Sequence, residues 1–236
     1  MNLRLLFGGL ALSGLCLGIQ AQTVVKPATK ISQTSFAVIT DTPTWNACAD
    51  EIKRYSEVLA DEQLPTFIVY HDWKNPEEVK KIISRLHKKH NLEGVVLIGD
   101  VPIPMIRKAQ HMTSAFKMNE KAYPFIESSV PSDRFYDDFD LKFEYIRQDS
   151  VNPLFYYYNL APTSPQQIKC DIYSARIKPI ENGEDKNEQI KKYLRKAISQ
   201  HQATNPLDQF FSYTGEGSYS NSLTAWVAEA ENIPVS

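Results

Sequence analysis

Val95-Val96-Leu97-Ile98-Gly99-Asp100 is the stretch on which the fold turns. Four consecutive apolar residues leave no polar face, so a strand made of them must be covered on both sides, as strands of a parallel sheet are. Gly99 and Asp100 then turn the chain at the strand's carboxyl end. Upstream, Asn75-Pro76-Glu77-Glu78 sets out a cap, a first-turn proline and an acidic third helical position. Val79, Ile82, Leu86 and His90 recur on one side of the helix that follows, and Gly94 hands over to the strand. Before it, Thr66-Phe67-Ile68-Val69-Tyr70 reads as another strand. Trp45, Cys48, Ile52, Tyr55 and Leu59 mark an earlier helix, with Thr44 as its expected cap. Phe36-Ala37-Val38-Ile39-Thr40 reads as the first strand, ended by Asp41 and Pro43.

Strand, helix, strand, helix, strand predicts an α/β fold with a largely parallel sheet and right-handed crossovers. Ligands on such sheets bind at the carboxyl ends of the strands. Those ends carry Asp41, His71, Asp72, Gly99 and Asp100. Turn formation or helix capping explains each of them singly.

Val101 to Glu120 is interrupted by proline and reads as irregular. Aromatic and acidic residues then dominate, in Tyr123-Pro124-Phe125 and in Pro131 to Asp140. Four aspartates, Asp133, Asp137, Asp138 and Asp140, fall within eight residues. They suit either a solvated acidic loop or a hard cation such as Ca²⁺, although the glycine and terminal glutamate of a regular calcium loop are missing. Asp133 and Asp137 are the candidate ligands, and Asp133, after the turn set by Pro131-Ser132, is also a candidate for shaping a substrate site. No other cofactor is expected.

Ser150 to Gln167 has no period and is the expected subdomain boundary. The division is then 36–160 for an N-terminal α/β subdomain and 161–236 for a second, partial one. Ile168 to Tyr173 alternates as a strand, Asn182-Gly183 turns into a helix holding Ile190, Tyr193, Leu194 and Ile198, and Phe210 to Tyr213 is the next strand. That strand runs into Gly215-Glu216-Gly217, where two glycines allow a sharp turn and leave the Glu216 carboxylate exposed at the sheet's edge, as a base or as a surface group.

Met1 to Ala21 reads as a signal peptide: Arg4, an apolar run from Leu5 to Leu17, and small residues suited to cleavage after Ala21. The run is too short for a membrane anchor. Residues 22–35 then form a linker, and the mature protein is expected to be secreted or periplasmic. The whole chain carries net charge -2, and losing Arg4 leaves 25 basic against 28 acidic residues, so nucleic acid is not an expected partner. Hydrophobic residues at 42% and charged residues at 23% exclude a disordered chain. Cys48 and Cys170 remain after cleavage. Both read as small buried hydrophobes, with a disulfide between them the alternative in an oxidising compartment.

Four short motifs in order resemble the gingipain family of cysteine peptidases: Val95 to Asp100, Pro131 to Tyr136, Asp171 to Pro179, and Tyr213 to Ser218 followed by Trp226. The likeness spans residues 36 to 236. It implies a caspase-like architecture of two three-layer subdomains, peptide or protein as substrate, and hydrolysis by a Cys/His dyad with histidine as base for the thiol. On the same resemblance Asp133, Gly215, Gly217 and Trp226 would line the substrate site. The family's histidine sits between the two turn glycines, where this chain has Glu216, and Ala175 stands where the family has glycine. The nucleophilic cysteine would follow the next strand, which the sequence to Ser236 does not reach. A carboxylate accepts a proton but forms no imidazolium to stabilise a thiolate. The expectation is therefore an incomplete or catalytically degenerate peptidase chain, with a noncatalytic module that binds peptide or protein as the alternative.

Overall fold

The structure is a computed structural model and describes residues 22–203 apart from 32, 110–118 and 181–182. In chain order its first half holds β1 (Thr23–Val25), β2 (Ser35–Asp41), α1 (Thr42–Asp61), β3 (Thr66–His71), α2 (Pro76–His90), β4 (Leu92–Ile98) and β5 (Ile103–Arg107). There follow β6 (Val130–Pro131), α3 (Arg134–Asp137), β7 (Phe143–Gln148), β8 (Phe155–Leu160), β9 (Tyr173–Ile177) and α4 (Lys186–Gln202). The protein is a mixed α/β fold with two sheets.

The first sheet has the order β1-β3-β2-β4-β9, with β1 antiparallel to β3 and every other pairing parallel. The expected apolar runs form its centre, and each face is covered. Phe36, Val38, Ile68, Val96 and Ile98 pack on α1 and α4, and Ala37, Ile39, Phe67, Val69, Val95 and Leu97 face α2 and the second sheet. Burying such side chains is worth about 1.5–3 kcal/mol each, and this fixes the register of the centre.

The second sheet, β6-β5-β8-β7, is mixed: β5 and β8 are parallel and the other two pairings antiparallel. Tyr156, Tyr158 and Leu160 turn toward the shared core, while Tyr157 packs with Ile103 and Met105 on the other face.

Helix α2 begins as expected, with the Glu78 N–H donating to Asn75 Oδ1 at 3.0 Å. It ends on Asn91, which takes the left-handed conformation (φ 51°) in place of a glycine. Helix α1 differs from expectation. Asp41, not Thr44, is its cap, because an aspartate ending a strand can turn its carboxylate onto the Thr44 N–H, 2.9 Å away. Its axis kinks at Cys48 (φ -123°, ψ 16°).

Four further expectations are corrected. The 22–35 segment is not all linker, since Thr23–Val25 pairs with Ile68–Tyr70. Strands β5 and β8 lie in stretches that read as irregular, because proline and tyrosine obscure their alternation, and β7 lies where no element was expected. The strand expected over Ile168 to Tyr173 begins only at Tyr173, and Cys170 ahead of it is exposed. Finally, β9 joins the first sheet and α4 packs on α1, so the 160/161 boundary does not divide the described residues, and one compact unit continues to Gln202. Within α4, Ile190, Leu194 and Ile198 are buried as expected but Tyr193 is exposed.

Candidate functional site

In the order β3-β2-β4-β9 the crossover from β2 runs one way and the later strands lie on the other side, so the topological switch falls between the carboxyl ends of β2 and β4. Asp41 and Gly99-Asp100 stand there. Asp41 Oδ1 accepts the Thr44 N–H and Oδ2 accepts the Asp100 N–H at 2.7 Å, so one buried carboxylate caps α1 and pins the turn after β4. Gly99 is at φ +81°, and a Cβ on it would lie 2.3 Å from Thr44 Oγ1 and 2.5 Å from Asp41 Oδ2. Only glycine fits this position. Thr44 Oγ1 is buried and makes no hydrogen bond to the described residues.

The Asp100 side chain is half-buried and receives Lys178 Nζ at 3.3 Å and Lys186 Nζ. Burial pushes its carboxyl up, but Lys186 and then Lys178 outweigh this and hold it below the usual carboxylate value. On the other side of β2, His71 ends β3 in register with Asp41; its ring meets Trp73 edge-on at 5.3 Å, while Trp73 Nε1 donates to the Thr40 carbonyl at 2.8 Å. Asp41, His71, Gly99 and Asp100, expected along this edge, therefore stand at the ends of neighbouring strands. Lys178 and Lys186 had no signal of their own, because a lysine after a strand or at a helix start reads as solvated.

A second cluster joins residues distant in sequence. Arg176 grips Asp133 with two nitrogens (Nη2 to Oδ1 2.7 Å, Nε to Oδ2 3.0 Å) and donates to the carbonyls of Val101 at 2.8 Å and Pro102 at 3.1 Å. Tyr136 Oη reaches the same Pro102 carbonyl at 2.8 Å. Asp137 is fully buried, accepts from Ser174 Oγ and pairs with Arg134 at 3.1 Å, and burial raises its carboxyl above the usual value against those two partners. Asp138 is buried too and accepts the N–H groups of Asp140, Leu141 and Lys169. The loop is thus not wholly a solvated acidic stretch: Asp140 is exposed, but Asp133 and Asp137 bind side chains of β9 and Asp138 accepts backbone N–H groups where the chain is irregular. Asp133 and Asp137, the candidate Ca²⁺ ligands, each face a protein cation. Among the described residues no group of three or more His, Cys, Asp or Glu side chains is arranged to hold a metal ion.

Neither described thiol has a base. Both are free. Cys48 is buried, its Sγ donates to the Asn187 carbonyl at 3.7 Å, and burial above all pushes its pKa up to about 11. Cys170 meets Arg134. Of the described histidines, His87 Nδ1 is bonded to the Leu92 carbonyl at 2.8 Å, His201 to Glu62 at 2.8 Å, and His90 lies against Phe67. The expected signal peptide and Gly215, Glu216, Gly217 and Trp226 lie outside the described residues. No helix among the described residues is long and apolar enough to cross a membrane.

Comparisons with family models, with curated proteins and with solved structures found no match to this chain.

Proposed function

We propose that the chain is an exported gingipain-like cysteine endopeptidase polypeptide of caspase-like architecture, with peptide or protein as its substrate class, and that it is catalytically silent as it stands. One observation carries the reading. Arg176, in the motif Asp171 to Pro179, binds Asp133 of the motif Pro131 to Tyr136 and the two carbonyls that directly follow the motif Val95 to Asp100. Two of the four short motifs behind the resemblance, 43 residues apart at these positions, thus meet through one side chain, which also holds the two residues after a third. Silence follows from residue chemistry, since Glu216 cannot supply an imidazolium and Cys48, with a pKa near 11, is a poor nucleophile at neutral pH.

The second reading is a noncatalytic secreted module that binds peptide at the strand-end cleft. The absence of a thiol-imidazole pair among the described residues favours it. A thiol-directed peptidyl probe separates the two when applied to the product of the natural reading frame. Labelling of a cysteine other than Cys48 or Cys170, lost when that cysteine is replaced, supports the peptidase. Absence of both labelling and peptide cleavage would leave the binding module.

A further inference from the structure

Strand β7 is the longest edge strand among the described residues, six residues paired on one side only. The other edges are less available. β1 has three residues and β6 two, while β9 has Ser174 and Arg176 committed to Asp137 and Asp133. An unpaired strand edge is a template for another strand, and proteins blunt or use it.

The sequence of β7, Phe143-Glu144-Tyr145-Ile146-Arg147-Gln148, decides what fits. Glu144 pairs with Asn159 and Arg147 with Tyr157, two residues of β8 that point to the same face, because a register shift between Tyr145 and Arg147 inserts one extra residue. Without the shift, side chains three apart would point to opposite faces. With it, an acid and a base stand on one face. Both are exposed, and neither makes an ion pair or hydrogen bond among the described residues; the Arg147 guanidinium lies over Phe125 and Tyr157. Phe143 and Gln148 share the other face: Phe143 packs on the core, and Gln148 Nε2 donates to Tyr156 Oη at 2.8 Å. Tyr145, on that face too, is 57% exposed.

This pattern is complementary to itself read backwards. An antiparallel copy related by a two-fold axis between Tyr145 and Ile146 sets Glu144 opposite Arg147 of the second copy and Arg147 opposite Glu144 of the second copy, with Phe143 opposite Gln148 at each end. Every pair except the central one joins residues of the same face, and the two opposite-charge pairs arise twice by symmetry. We propose that β7 is a homodimer edge, at which two copies of this chain join their four-stranded sheets through antiparallel β7 strands, held in register by the Glu144 and Arg147 pairs. The patch is small and the association weak, so it depends on protein concentration and on salt.

Sedimentation equilibrium of the purified full chain over a range of concentration and salt tests this. The expected result is a reversible monomer-dimer equilibrium weakened by salt. Glu144→Arg and Arg147→Glu each place like charges across both pairs and weaken dimerisation by about tenfold or more. The double variant Glu144→Arg/Arg147→Glu, which restores opposite charges, recovers it. Circular dichroism of each variant must match the parent, which separates loss of pairing from loss of fold. A chain that stays monomeric at the highest concentrations overturns the proposal, as does a dimer indifferent to the single reversals or a double variant no better than either single one.

Discussion

The two sheets are stabilised by different chemistry. The centre of the first is aliphatic on both faces, with Ala37, Val38, Ile39, Val69, Val95, Leu97 and Ile98 all at 0% exposure, and its strands needed nothing but apolar continuity to find their neighbours. The second is built on three consecutive tyrosines whose hydroxyls reach specific acceptors: Tyr156 to the Lys74 carbonyl at 2.6 Å, Tyr157 to Asp149 at 2.9 Å and Tyr158 to Glu77 at 2.9 Å. Burial first, and the carboxylate partner after it, raises the Tyr157 hydroxyl to about 12 and moves that of Tyr158 up as well. The shift favours the neutral, hydrogen-donating form of both hydroxyls. An aliphatic strand tolerates any partner of the right shape. A tyrosine strand requires its acceptor in place, and so depends on α2 and the Asp149 turn being built already.

The largest expected effect tests the first half of that contrast. Leu97 lies at the middle of β4 with 0% exposure, facing α2 and the second sheet. Leu97→Ala removes its contacts and leaves a cavity, for a loss of about 3 kcal/mol in urea denaturation. A loss below about 1 kcal/mol would mean that the sheet centre relaxes freely and does not set the fold.

Tyr158→Phe tests the other half. It keeps the ring against Phe135, 4.8 Å between centroids, and deletes only the bond to Glu77. Because the acceptor is charged, the expected loss is about 1.5 kcal/mol. If Tyr158→Phe is neutral while Tyr158→Leu is costly, ring packing alone holds the second sheet and the contrast fails.

The same difference explains what could be read in the sequence. Val95 to Ile98 and Asn75 to Glu78 contain their own instructions, apolar continuity and a cap box, and both elements are where the pattern puts them. So is the gathering of Asp41 and Asp100 at the strand ends, since parallel order alone brings β2 and β4 together. The placement of β9 was not legible. Its alternation is weak, and what seats it beside β4 is tertiary: Gly94 leaves room for the Tyr173 ring, which a Cβ would meet at 2.1 Å, and Ser174 and Arg176 find carboxylates 37 and 43 residues upstream. The acidic loop misled for a related reason. Aspartates in a row read as solvated, yet Asp137 and Asp138 are inside because local backbone and β9 need their oxygens.

The smallest effect concerns the polar end of the first sheet, where aliphatic packing gives way to charge. Asp100 is paired with Lys178 and Lys186, but a third of its side chain is exposed and solvent screens the pairing. Asp100→Asn should therefore cost only about 0.5 kcal/mol at neutral pH. The sign of its pH dependence is fixed by the lowered carboxyl pKa. A carboxylate that ionises more readily folded than unfolded adds stability above its unfolded pKa and loses that contribution as pH falls through the lower, folded value. Parent and Asp100→Asn should thus differ fully near pH 7, and the gap should close as pH falls below the ordinary carboxylate range. Denaturation curves of both proteins at several pH values provide the measurement. A gap that persists unchanged in acid would show that Asp100 works through the shape of the turn after Gly99, and the end of the first sheet would then resemble the second sheet in depending on placed hydrogen bonds and not on charge.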